Sequence, residues 1–97
     1  MELRDQFRYL VGGYYGVELV DEYSLKEYIL KDIRNYIEDF VHENNIDFDI
    51  QQEEKDVKEQ VSEKTKLQDA LLVLNKINGP MDLVFLIKKK LKKYERH

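Results

Sequence analysis

The side chains of this sequence that are best suited to metal binding are its two histidines and the carboxylates that precede the first of them. On a helix, His42 would share one face with Asp39 and Glu38, which stand three and four residues earlier. A metal centre in a helical bundle also needs ligands on a facing helix. The other histidine, His97, stands at the end of the chain and supplies no such partner. We therefore predict no metal site and no cofactor.

No residue stands in a sequence context typical of a catalytic group. The chain contains no cysteine, which excludes thiol nucleophiles, disulfides and thiolate metal sites. Ser24 precedes an apolar helical pattern, as a helix-capping serine does, and is not flanked like a nucleophile elbow. The glycines between residues 12 and 16 lack the Gly-Lys-Ser/Thr ending of a phosphate-binding loop. We predict that the protein is not an enzyme.

The charged and tyrosine side chains favour binding over catalysis. Residues 1–63 carry 7 basic and 17 acidic side chains, whereas residues 64–97 carry 9 basic and 3 acidic ones. Seven tyrosines occur without any tryptophan, and tyrosine is frequent at protein interfaces because it combines apolar area with a polar tip. These features predict a surface for a protein partner, to which we assign Tyr14, Tyr15, Tyr23, Glu38, Asp39, Glu43, Asp47, Asp49, Glu53, Glu54, Asp56 and Glu59.

Three functions fit this distribution of charge. The first, which we favour, is a regulator or inhibitor of phage or mobile-element type, whose acidic face mimics nucleic acid and occupies a basic groove on a protein. The second is a dimeric nucleic-acid-binding protein that neutralises phosphates with a cluster of cations on its last helix: Lys88, Lys89, Lys92, Lys93 and Arg96. That helix would open with Met81 and Asp82, whereas a helix that reads DNA normally presents polar donors there. The third is an immunity-type protein or accessory subunit.

Length and composition are typical of one helix-rich domain that spans residues 1–97. Hydrophobic residues make up 42% and charged residues 37%, with four glycines and one proline, so a globular chain is expected rather than a disordered one. No apolar run is longer than that of residues 83–87, which is far short of the about 20 residues of a membrane span. Because cysteine is absent and charged residues follow Met1 directly, we expect a cytoplasmic protein without a signal peptide.

Apolar residues recur at helical spacing, which predicts an all-α fold: a small bundle of about four helices with one short extended connector. The predicted helices cover residues 2–11, 24–43, 66–77 and 80–95. The longest is expected to form the spine, with the last two packed against it as a hairpin. The polar residues 51–66 form either a fifth, exposed helix or a mobile linker.

Residue types that start and end helices set these predicted boundaries. A Ser-x-x-Glu capping box begins at Ser24, and a Thr-x-x-Gln pattern at Thr65 offers the same start to the third helix. The glycines at 12 and 13 are predicted to end the first helix, although a hairpin over residues 7–20 with these glycines in its turn is an alternative. Residues 46–50 alternate between apolar and acidic side chains, which predicts the extended connector.

Overall fold

The computed structural model describes residues 2–95 as five α-helices joined by short segments, which confirms the all-α class and adds one helix to the expected four. The helices are α1 (Leu3–Glu18), α2 (Lys26–Glu43), α3 (Ile50–Gln60), α4 (Glu63–Lys76) and α5 (Met81–Glu95). No strand occurs between residues 2 and 95. Arg96, assigned above to nucleic-acid binding, and His97 lie outside the described residues.

Helix α1 continues through the glycines that were expected to end it. A Cβ added at Gly13 would lie 2.4 Å from Cγ2 of Val73, and one at Gly16 would lie 2.1 Å from the carbonyl oxygen of Lys66. None of the described glycines has a positive φ. These glycines therefore let α1 and α4 approach closely and do not form a turn. Both the predicted helix end at residue 11 and the alternative hairpin are wrong.

The core is organised around α1 rather than around α2. Helix α1 packs most extensively against α4 and also contacts α2 and α3, while α5 folds back on α4. The predicted hairpin of the last two helices is confirmed, but it packs on α1 through α4, so the expected spine at residues 24–43 is wrong. The largest fully buried side chains come from all five helices and the segment after α1: Phe7, Leu10, Val17, Val20, Ile33, Val57, Leu67, Val73, Leu74, Leu83 and Ile87.

The predicted N-caps of α2 and α4, at Ser24 and Thr65, differ from those in the structure. Helix α2 begins at Lys26, and Ser24 makes no capping hydrogen bond. The preceding Tyr23 is buried, and its hydroxyl donates a hydrogen bond to Asp82 of α5 at 3.3 Å, so a tertiary contact fixes the start of α2. Helix α4 begins three residues before the expected start at 66, because the side chain of Ser62 accepts a hydrogen bond from the backbone N–H of Thr65 at 3.2 Å.

The polar residues 51–66 are not a linker but form α3 and the start of α4. Helix α3 buries Val57 and is capped by Asp49, which accepts a hydrogen bond from the backbone N–H of Gln52 at 3.2 Å. The expected connector is one residue shorter than predicted, because Ile50 already belongs to α3. Within it, Phe48 packs with its ring centroid 5.5 Å from that of Phe7.

The two serines provide a test of these helix starts. We expect Ser62→Ala to lower the free energy of unfolding by about 1 kcal/mol, because the backbone N–H of Thr65 loses its acceptor. Ser24→Ala is the matched control and should change stability by no more than about 0.5 kcal/mol. Urea unfolding followed by circular dichroism measures both. A larger loss for Ser24→Ala than for Ser62→Ala would place the cap of α2 at Ser24.

Asp69 of α4 carries its carboxyl group into the contact between α1 and α4. A Cβ added at Gly12 would lie 2.3 Å from its Oδ2 atom. Burial disfavours the charged form and raises the pKa of Asp69 from 3.8 to about 6. Between these pH values the folded protein keeps a proton that the unfolded chain has lost. The contribution of Asp69 therefore lowers stability progressively as the pH rises from about 4 to about 6.

Asp69→Asn should make the protein more stable at pH 7, since asparagine has a similar shape without the charge. The full pKa difference corresponds to roughly 3 kcal/mol, and solvent screening at this half-buried carboxyl reduces the expected gain to about 1 kcal/mol. Below about pH 4 the aspartate is protonated in both states, so the difference between the two proteins should disappear. Urea unfolding of both proteins, from below pH 4 to pH 7, measures this difference in stability. A difference independent of pH would assign the effect to packing.

Candidate functional site

A cleft of about 350 Å³ lies where α1, α2 and α3 meet. The buried Val11 and Ile37 contribute its apolar part. The polar part consists of two adjacent tyrosines from α1, an arginine and a glutamate from α2, and a glutamate from α3. We call this site the tyrosine cleft, and its residues are Val11, Tyr14, Tyr15, Arg34, Ile37, Glu38 and Glu54.

The two tyrosine rings are held in place by each other and by cations. Tyr14 and Tyr15 pack edge to face, with ring centroids 5.4 Å apart and an angle of 89° between the ring planes. The guanidinium carbon of Arg34 lies 5.3 Å from the ring centroid of Tyr14, and Arg34 donates a hydrogen bond to the Tyr14 hydroxyl. Nζ of Lys66 lies 5.8 Å from the ring centroid of Tyr15. Such cation–π contacts stabilise this orientation of the rings.

The electrostatic environment of the Tyr15 hydroxyl is set by burial and by carboxylates. Burial raises the pKa of Tyr15, the carboxylates of Glu54 and Glu18 raise it further, and Arg34 opposes them. The hydroxyl therefore stays protonated at neutral pH and can donate a hydrogen bond. Neither Glu38 nor Glu54 forms a salt bridge with a cation among residues 2–95. The cleft thus combines apolar surface with two carboxylates that are free to accept a cation.

The tyrosine cleft unites four of the residues that the sequence assigned to a protein partner: Tyr14, Tyr15, Glu38 and Glu54. Other members of that assignment lie elsewhere. Asp39 and Glu43 line a smaller hollow on α2 together with Tyr36 and Phe40. Asp47 lies beside Phe48 near the start of α1. Asp56 accepts a hydrogen bond from Gln52 at 2.9 Å, and Glu59 is exposed on α3. The predicted residues therefore form several surfaces rather than one.

Three predicted binding residues have structural roles instead. The buried carboxylate of Glu53 lies 3.2 Å from Nε of Arg4 and 2.6 Å from Nε of Arg8, so it joins α3 to α1. The hydrogen bond that Arg8 donates to Glu53 raises the pKa of the Arg8 guanidinium. Tyr23 is buried, and Asp49 caps α3. The side chains of Tyr23 and Glu53 are buried and are taken up by contacts between helices, so they do not contribute to the exposed surface.

Sequence reasoning did not identify three residues of the cleft: Val11, Arg34 and Ile37. Ile37 belongs to the predicted apolar stripe of α2, but periodicity alone does not show which core residues border an opening. Arg34 is separated from Tyr14 by 20 positions, and their pairing becomes visible only once α1 is known to extend beyond its glycines. The one signal in the sequence was the spacing of Arg34 and Glu38, which places them one turn apart on α2.

The predicted cationic surface on α5 is present. Lys88, Lys89, Lys92 and Lys93 are all exposed, and none has a salt-bridge partner among residues 2–95. Lys90 differs, since its Nζ lies 4.0 Å from a carboxylate oxygen of Glu22. Two large apolar side chains share this surface, because Met81 is 75% exposed and Phe85 is 68% exposed. The outward stripe of α5, which we call the α5 ridge, consists of Met81, Phe85, Lys88, Lys89 and Lys92.

Within residues 2–95, no three histidine, aspartate or glutamate side chains gather in a way that could hold a metal ion. None of the helices described for this range is long and apolar enough to cross a membrane. Comparisons with protein-family models, with curated proteins and with solved structures find no match. Function is therefore inferred from the geometry and charge of the surface.

Proposed function

We propose that this chain is a non-catalytic binding protein that regulates a protein partner by covering a basic segment of that partner. The observation that supports this most directly is the tyrosine cleft, in which an apolar floor and two packed tyrosine rings stand beside two carboxylates that form no salt bridge within residues 2–95. Tyrosine and arginine are the residues most often responsible for binding energy at protein interfaces. A lysine or arginine side chain of the partner is the natural ligand of such a site.

The chemistry of the cleft fits an amphipathic cation. The aliphatic stem of a lysine would pack on Val11, Ile37 and the tyrosine rings, while its ammonium group would reach Glu38 or Glu54. Tyr15 would donate a hydrogen bond to a backbone carbonyl of the partner, since its hydroxyl remains protonated. Arg34 is held by Tyr14 and leaves the two glutamates available.

The surroundings of the cleft favour the same class of partner. Residues 26–60, which span α2 and α3, hold 11 acidic and 5 basic side chains. The two helices that carry Glu38 and Glu54 therefore bear an excess of negative charge, even with Glu53 paired to Arg4 and Arg8. Such an excess attracts an oppositely charged protein and accelerates association. A partner that uses a basic groove for nucleic acid would be blocked by this surface, and inhibition by such competition is the regulation that we propose.

Selection of random short peptides displayed on phage, with the full chain immobilised, tests this proposal. We expect selected peptides to be enriched in lysine or arginine next to an apolar residue. Their affinity, measured by fluorescence anisotropy with synthetic peptides, should fall at least about tenfold, or 1.4 kcal/mol, when Glu38→Lys and Glu54→Lys are combined. The matched control combines Glu27→Lys and Asp32→Lys, which changes net charge equally at exposed positions of α2 outside the cleft. Equal losses in both variants, or none in either, would contradict the proposal.

A second candidate function, nucleic-acid binding, is favoured by the four exposed lysines of α5 that form no salt bridge within residues 2–95: Lys88, Lys89, Lys92 and Lys93. Here Lys89→Glu combined with Lys92→Glu would abolish a gel shift of mixed-sequence duplex DNA at low salt. Each lost phosphate contact would also reduce the slope of log affinity against log salt by about one. Absence of any shift by the unmodified protein would remove this candidate.

A further inference from the structure

The α5 ridge has the shape and charge that the tyrosine cleft requires of a ligand. Phe85 projects from α5 with two thirds of its surface exposed, although phenylalanine is normally buried. Lys88 and Lys89 follow it by about one helical turn and Lys92 by about two, at a rise of roughly 1.5 Å per residue. An apolar side chain is thus followed at short range by three exposed ammonium groups.

The cleft offers the complementary arrangement, with its apolar floor beside Glu38 and Glu54. Its volume of about 350 Å³ exceeds that of one aromatic side chain. No residue of α5 lines the cleft, which is formed by α1, α2 and α3 alone. The ridge of one molecule therefore does not fill its own cleft, and both surfaces are open to another molecule.

We propose that a second copy of this chain occupies the tyrosine cleft, inserting Phe85 against Val11 and Ile37 and placing its lysines against Glu38 and Glu54. The inference rests on the proposed function, because it names one partner of the same site. Each copy presents one ridge and one cleft, so each contact joins two unlike surfaces. Self-association of this kind leaves the cleft occupied at high protein concentration and releases it for other basic partners on dilution.

Sedimentation velocity of the full chain over increasing concentration tests the inference. The contact is small, and we expect a dissociation constant on the order of 0.1 mM that increases with salt. Two charge-reversed proteins separate the two surfaces: a ridge variant with Lys89→Glu and Lys92→Glu, and a cleft variant with Glu38→Lys and Glu54→Lys. Each should remain monomeric alone, because ridge and cleft then carry the same charge.

The decisive protein carries all four reversals. It has the same net charge as the natural sequence, with the charges of ridge and cleft exchanged, and we expect it to associate as the unmodified chain does. An equimolar mixture of the ridge and cleft variants should also associate, because the ridge of each variant is opposite in charge to the cleft of the other. If the unmodified chain associates and the fourfold variant does not, the copies meet elsewhere and the inference is wrong. Circular dichroism verifies that every variant is folded.

The outcomes also separate this inference from the proposed function. A chain that stays monomeric at all concentrations, while the cleft variant still loses the selected peptides, would refute self-association and leave the proposed function intact. Selected peptides that bind the cleft variant as well as the unmodified chain would refute the proposed function. If the chain stays monomeric and binds duplex DNA, and the ridge variant no longer binds that DNA, then α5 is a nucleic-acid-binding surface and the inference is wrong.

Discussion

Gly16→Ala should lower the free energy of unfolding by about 3 kcal/mol, at the upper end of the usual cost of overpacking a core. The added methyl group would lie 2.1 Å from the carbonyl oxygen of Lys66, 2.7 Å from its carbonyl carbon and 2.9 Å from Cβ of Ala70. Two of these atoms belong to the backbone of α4, which has no rotamer to change. The helices would have to separate, and the contact between α1 and α4 is the most extensive in the fold.

Gly12→Ala is the matched control on the same face of α1. Its new methyl group would meet Asp69, with the nearest atom Oδ2 at 2.3 Å, and the end of a side chain can move aside. Alanine also favours a helix over glycine by about 1 kcal/mol, which offsets that rearrangement. We expect a change within about 1 kcal/mol of zero. Urea unfolding of both variants measures the contrast, and equal effects would show that the helices do not meet as closely as described.

The same glycines explain the main error of the sequence-based prediction. Local propensity treats consecutive glycines as a helix end, because glycine adopts left-handed conformations without cost. Here Gly12 and Gly13 allow close packing against Asp69 and Val73 of α4, which lie more than 50 residues away in the sequence. Tertiary packing overrides propensity in such a case. Helices with continuous apolar stripes, such as α2 and α5, were predictable because their own sequences specify the buried face.

The candidate site was predictable in residue type but not in arrangement. The sequence identified four residues of the cleft by type alone, because tyrosines and carboxylates suit a binding surface whatever their position: Tyr14, Tyr15, Glu38 and Glu54. Glu53 and Tyr23 have the same chemistry and were assigned together with them. Only the fold shows that Glu53 pairs with Arg4 and Arg8, and that Tyr23 binds Asp82. Charge counts do not distinguish a carboxylate that joins two helices from one that awaits a partner.

Phe7→Ala should destabilise the protein by about 3–5 kcal/mol, the usual cost of removing a buried aromatic ring. Phe7 is fully buried in α1, and its ring packs 5.5 Å from that of Phe48, which holds the connector before α3 on the core. The substitution would leave a cavity and also release that connector. Thermal or urea unfolding measures the loss, and a change below about 1 kcal/mol would mean that the start of α1 does not face the core.

Phe85→Ala makes the same chemical change at a side chain that is 68% exposed, and it is therefore the control for Phe7→Ala. We expect its stability to change by no more than about 0.5 kcal/mol, because little apolar surface leaves the core. Its self-association should instead weaken at least about tenfold, since Phe85 supplies the apolar contact between copies. A large loss of stability would show that Phe85 packs within its own chain. Unchanged association in a stable Phe85→Ala protein would mean that the α5 ridge does not enter the tyrosine cleft.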